Sequence, residues 1–169
     1  MNSIDKINKL SKSEFVTIFG NIFENSEWIA MKAYDLKPFI DLEDFYIKIA
    51  NVFDTANEEE QLKVIRAHPD LADKTKIGKS LTNESQKEQM SANLDQCTEN
   101  EYIEFKNLNI EYKKKFGFPF IFSIKGKNKN EILDNFRKRS LKKRNEELFE
   151  AKLQVKKIAN LRLKEKKIL

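Results

Sequence analysis

Apolar residues recur every three to four positions along most of this chain, the period of an α-helix face. Most of these runs open on a helix-start signal. Ser11 followed by Glu14 has the spacing of a capping box, in which each side chain satisfies the other residue's exposed backbone donor. Phe15, Ile18, Phe19, Ile22 and Phe23 follow at helical spacing. Ser26 stands where it can cap a short helix carrying Trp28, Ile29 and Tyr34. That helix must end before Pro38, because the residue before a proline avoids the helical region. Asp41 caps the next, with Leu42, Phe45, Ile49 and Val52 on one face. Asn57 precedes Glu58, Glu59 and Glu60, acids in a first turn where the helix dipole favours negative charge. The helix they open carries Leu62 and Ile65 and stops near His68-Pro69.

Residues 73–82 read as a loop. Ser85 with Glu88 repeats the capping-box spacing and opens a helix toward Leu94. Thr98 with Glu101 repeats it again, ahead of a stripe of Tyr102, Phe105, Leu108 and Tyr112. Lys113, Lys114 and Lys115 suit a last turn, and Gly117 suits the left-handed position just beyond it. Phe118 to Ile124 breaks the period. It is apolar, favours extended backbone and contains Pro119, so it reads as a short buried extended segment. Helices over about 130–140 and 145–166 follow. No internal repeat or interdomain linker interrupts this series. The pattern therefore predicts one all-α domain over residues 1–169, of about seven to eight helices.

Composition narrows the chemistry. The 169 residues are 40% hydrophobic and include 13 Phe, enough for a sizeable core. The single Cys, Cys97, excludes an intramolecular disulfide and a Cys-based zinc cage, and points to a reducing compartment. A single His excludes a multi-histidine metal site, and 4 Gly and 3 Pro argue against an all-β fold or a glycine-rich phosphate loop. No metal-ligand spacing, dinucleotide fingerprint or nucleophile elbow occurs. Residues 1–110 carry 13 Lys and Arg against 20 Asp and Glu, a balance of −7; residues 111–169 carry 19 against 7, a balance of +12. A basic end can serve nucleic acid or an anionic surface. Here the basic residues are spread among acids and apolar positions, which is how a solvated helix face looks. The N-terminus lacks the apolar core of a signal peptide, no run is long enough to span a membrane, and Lys167-Ile168-Leu169 is not a peroxisomal address. A soluble cytoplasmic protein is expected.

Four features carry candidate chemistry. His68 has the one side chain whose ordinary pKa lies near neutrality, and Pro69 fixes the backbone beside it. Ser85, Glu88 and Gln89 share a helix face near its N-terminus and offer a hydroxyl, a carboxylate and an amide to a small polar ligand; the capping box explains the first two without any ligand. The extended backbone at Phe120, Ile121, Phe122, Ser123 and Ile124 must find partners outside a ladder, either a flat heterocycle or the protein itself. Arg162, between Leu161 and Leu163, either reaches inward as a fork for carboxylate or urea-like oxygens or lies on a Lys-rich surface.

Taken together, a longer succession emerges. It runs through Phe19-Gly20-Asn21-Ile22-Phe23-Glu24, Arg66-Ala67-His68-Pro69-Asp70-Leu71-Ala72, Ser85 with Glu88-Gln89, Lys115-Phe116-Gly117-Phe118-Pro119-Phe120-Ile121 and Ile158-Ala159-Asn160-Leu161-Arg162-Leu163. This resembles the 2-oxo-4-hydroxy-4-carboxy-5-ureidoimidazoline (OHCU) decarboxylases of uric acid degradation, over nearly the whole chain. The resemblance implies an all-α fold and a homodimer that uses no metal or organic cofactor. It implies a carboxy-lyase that turns a small anionic heterocycle into (S)-allantoin and CO2. His68 and Glu88 then fall on the catalytic positions. Pro69, Ser85, Gln89, Phe120, Ile121, Phe122, Ser123, Ile124 and Arg162 fall on substrate-binding ones. The rival is a nucleic-acid or anionic-surface binder built on the basic end, but no helix-turn-helix or zinc-finger pattern supports it; neither nucleic acid nor membrane is expected as a partner.

Overall fold

Among the described residues, 3–166 of this computed structural model, the chain forms nine α-helices and no strand. The Lys167-Ile168-Leu169 reading lies outside the described residues. The all-α class stands, and the count exceeds the expected seven to eight because of an additional short N-terminal helix. The chain divides into two compact units, Met1–Ala67 with Lys156–Leu169, and His68–Val155.

The first unit contains α1 (Ser3–Lys9), α2 (Lys12–Phe19), α3 (Glu27–Tyr34), α4 (Leu42–Asp54), α5 (Glu58–Ala67) and the end of α9 (Arg144–Glu165). α2 packs on α3 and α3 on α4. Their shared interior is aromatic: Phe15 lies 4.7 Å from Phe19 and 5.9 Å from Phe45, and Phe39 lies 4.8 Å from Phe45. Each buried Phe side chain contributes roughly 1.5–3 kcal/mol by leaving water. The short α1 has only Ile4 and Ile7 as its buried residues, too brief a pattern to register as a period. It is fastened from outside, by Asn8 exchanging two 2.8 Å hydrogen bonds with the backbone of Phe39.

Most helix ends follow the local signals in the sequence. Ser11 and Glu14 form the reciprocal cap, Asp41 accepts from the Asp44 N–H, and Asn57 and Glu60 bond each other's backbone. Two details differ. α2 stops at Phe19, so the buried Ile22 and Phe23 sit in the following turn rather than on the helix. Ser26 does not cap α3, because its hydroxyl donates to the Glu24 carbonyl at 2.8 Å. On α4 the inward face is Phe45, Ile49 and Phe53, while Leu42 is exposed.

The second unit contains α6 (Asn83–Ser91), a 3-10 turn at Leu94–Gln96, α7 (Glu99–Phe116), α8 (Lys129–Ser140) and the start of α9. α7 opens on the Thr98–Glu101 capping box and closes on Gly117 at φ 81°, a left-handed conformation that favours glycine. α8 packs on α7. Tyr112, Phe116, Phe118, Phe120 and Phe136 form the aromatic core here, with Phe120 stacked on Phe136 at 4.0 Å. Residues 118–124 are non-helical, as the sequence predicts, and buried except for the half-buried Phe122.

Candidate active site

α6 decides how the Ser85 group is read. The helix starts at Asn83, and its cap is Thr82, whose hydroxyl accepts from the Ser85 N–H. The Ser85–Glu88 spacing is therefore not a capping box: both residues lie inside the helix. Ser85 and Gln89, four apart, form the buried face of α6, and Glu88 beside them is half-buried.

His68 directly follows α5 and is 8% exposed. Pro69, half-buried, fixes the chain after it, and the loop beyond is tightly held. Gln89 accepts from the Ala72 N–H at 2.9 Å and donates to the Asp70 carbonyl at 3.2 Å. Asn109 of α7 donates to the Leu71 carbonyl at 2.9 Å, and Lys113 pairs with Asp70 at 2.6 Å. Gln89 thus ties α6 to the loop that carries His68. Two sequence-predicted groups, His68-Pro69 and Ser85-Glu88-Gln89, belong to one hydrogen-bonded framework.

The buried 118–124 segment lies in the same unit. Its backbone finds protein partners: Arg139 of α8 donates to the Ile121 carbonyl at 2.6 Å, and the Ser123 N–H donates to Gln154 of α9 at 2.9 Å. Arg139 is held by Glu147 at 2.6 Å, with side chains 5% and 0% exposed. Tyr112 is buried beside them. Burial first, and then the Glu147 carboxylate, push its ionisation upward, so it stays a neutral phenol.

Arg162 belongs to the first unit and settles its own question: it is buried, not on a Lys-rich surface. Its Nη1 pairs with Glu24 at 2.8 Å, each side chain 2% exposed, and donates to the Asn21 carbonyl at 3.2 Å. Clefts of about 650 Å³ near Tyr46 and Lys157, and about 490 Å³ near Tyr102 and Asn109, are lined by none of the sequence-predicted site residues.

Sequence reasoning missed Glu24, Asn109, Arg139, Glu147 and Gln154. A signal for several of them was present. Arg139 follows Ile132, Leu133 and Phe136 on the inward stripe of α8, and Asn109 lies between Phe105 and Tyr112 on that of α7. A polar residue on an apolar stripe is a buried polar residue, and burial demands a partner.

The OHCU decarboxylase family model matches residues 8–164. A uric acid degradation bifunctional protein from Bacillus sp. (strain TB-90) is 38% identical over 98% of this chain, which spans 32% of that protein's length. A 2-oxo-4-hydroxy-4-carboxy-5-ureidoimidazoline decarboxylase from Halalkalicoccus jeotgali is 36% identical over 96% of this chain and 90% of its own. A crystal structure of (S)-allantoin synthase has the same fold, with a TM-score of 0.73 at 22% identity, covering 96% of this chain and 53% of that one. The chain belongs to the OHCU decarboxylase family.

Proposed function

We propose that this chain performs its family's reaction, the decarboxylation of 2-oxo-4-hydroxy-4-carboxy-5-ureidoimidazoline to (S)-allantoin and CO2 in uric acid degradation, with His68 and Glu88 as its acid–base pair. The observation that carries the assignment is the Gln89 clamp. It joins the buried His68 turn to the helix that presents Glu88 and Ser85, neither of which caps that helix. The family match runs across both compact units, which supports treating residues 1–169 as one functional domain.

The chemistry asks for proton handling and orientation. The bond from the ring carbon to its carboxylate breaks, CO2 leaves, and the electron pair moves into the ring C=N, whose nitrogen takes up a proton. The hydroxyl then gives up its proton as it becomes a carbonyl, and the neighbouring carbon gains one on a single face. The ring itself accepts the electrons, so no separate electron sink is required. His68 acts in proton transfer at the hydroxyl and carboxylate end, and Glu88 orients the ring and assists as acid or base. Pro69 shapes that wall. Ser85, Gln89 and Arg162 bind the carbonyl and ureido oxygens. The backbone from Phe120 to Ile124 sets the ring plane.

The substrate is generated in situ from urate with the two upstream enzymes, and allantoin is followed by circular dichroism. Rapid (S)-allantoin formation is expected with this protein present. His68→Ala and Glu88→Ala should each lower kcat by about 10²–10⁴-fold, the usual contribution of a positioned acid–base group, with the far-ultraviolet spectrum retained. Full activity in both variants would refute the assignment. The same proposal includes a homodimer, checked by sedimentation, and a cytoplasmic location. Cys97 as the single cysteine supports the latter. No helix among the described residues is long and apolar enough to cross a membrane.

A further inference from the structure

The Arg139–Glu147 pair is a costly feature for a protein interior. Removing two charges from water carries a penalty that their attraction roughly cancels, so such pairs are seldom retained for stability alone. Here the Arg139 Nη2 carries no hydrogen bond among the described residues, which makes the pair a still weaker source of stability. What it does supply is a donor at one place, the Ile121 carbonyl, 2.6 Å from Arg139 Nη1. The guanidinium also stacks on Phe120, with its central carbon 4.5 Å from the ring centroid, and Phe120 is in turn clamped by Phe136.

A second polar tether acts two residues further on. Gln154 accepts from the Ser123 N–H, and Glu150 orients the Gln154 amide by accepting from its Nε2 at 2.8 Å. Arg139 and Gln154 therefore hold the segment on either side of Phe122, by the Ile121 carbonyl and the Ser123 N–H.

We propose that Arg139, charge-balanced by Glu147, is a positioning residue for the decarboxylation: it fixes the Ile121 carbonyl and the Phe120 ring, and so holds the 120–124 backbone in register for the heterocycle. The inference rests on the reading that residues 120–124 contact the substrate. Arg139 does not touch the reacting atoms. It acts through the segment, and a misplacement of about 1 Å in such a segment can cost on the order of 10²-fold.

The test begins with wild-type kinetics on substrate generated in situ. A wild type that does not decarboxylate it overturns the proposed function and this inference together. With the wild type active, Arg139→Met/Glu147→Leu removes both buried charges at once, a replacement that commonly leaves stability intact. The expected result is a melting temperature near wild type, a KM raised about tenfold or more, and unchanged apparent pKa values in the pH profile, since His68 and Glu88 are untouched. A merely structural role lowers the fraction of active protein and moves kcat alone, so an unchanged KM overturns the proposal. Should the double variant fail to fold, Arg139→Lys decides. Its single ammonium keeps the charge but lacks the fork that serves Glu147 and Ile121 together. A KM raised several-fold is expected there, and a wild-type KM overturns the proposal.

Discussion

Glu24→Ala is expected to be among the most damaging single substitutions in this protein. Glu24 accepts from Arg162 at 2.8 Å, with 2% of either side chain exposed. Truncation removes the carboxylate that faces the buried guanidinium, and arginine cannot escape by losing its proton. Breaking a buried pair from one side costs about 3–5 kcal/mol. Total stabilities lie around 5–15 kcal/mol, so the loss is a large fraction of what holds the fold. For a chain of this size each kcal/mol moves the melting temperature by roughly 2–4 °C, which puts the expected drop at about 6–20 °C. The assay is thermal unfolding followed by circular dichroism, on Glu24→Ala, Arg162→Met and Glu24→Leu/Arg162→Met. Removing both charges removes the imbalance, so the double variant should recover most of the lost stability while losing activity, because Arg162 is placed in substrate binding. A Glu24→Ala protein melting within about 2 °C of wild type would refute the reasoning. So would a double variant no more stable than the single one.

Thr82→Ala removes the cap of α6 and should cost about 1 kcal/mol in urea denaturation, while Ser85→Ala should leave the cap intact and lower kcat/KM. Cys97 has its thiol pKa raised, by burial first and then by the Glu101 carboxylate. Its reaction with a disulfide reagent at neutral pH should therefore be slower than that of a free thiol, and fast labelling would contradict this. Glu101 has its pKa lowered, chiefly by the hydrogen bond from Lys129 and then by the Thr98 N–H. A lowered folded-state pKa adds stability that is fully present above the ordinary value of 4.5 and is lost as pH falls through the folded value. Wild type should therefore lose more melting temperature between pH 6 and pH 3 than Glu101→Gln; equal losses would count against it.

Much of this molecule is legible along the chain because its determinants are local. Reciprocal caps at Ser11–Glu14 and Thr98–Glu101, and the glycine that closes α7, involve residues within one helical turn, so their spacing alone reveals them. The short α1 was not legible, since its fastening to Phe39 lies far along the chain. The capping box read at Ser85–Glu88 shows the limit of spacing. Thr82 offers an equally good start three residues earlier, and the structure uses it. Four candidate groups were also visible in sequence, but not what each one touches.

The sequence by itself determined the all-α class, most helix boundaries, the buried non-helical segment and the residues that carry the family resemblance, because period, caps and residue type act over a few positions. The tertiary structure decided which charges are buried and what answers them: Glu24 for Arg162, Glu147 and the Ile121 carbonyl for Arg139, and Gln89 and Asn109 for the loop behind His68. The reason is physical. A helical stripe reports that a side chain faces inward, but a buried donor can be satisfied by any acceptor the fold brings within about 3 Å, and only the fold specifies which one.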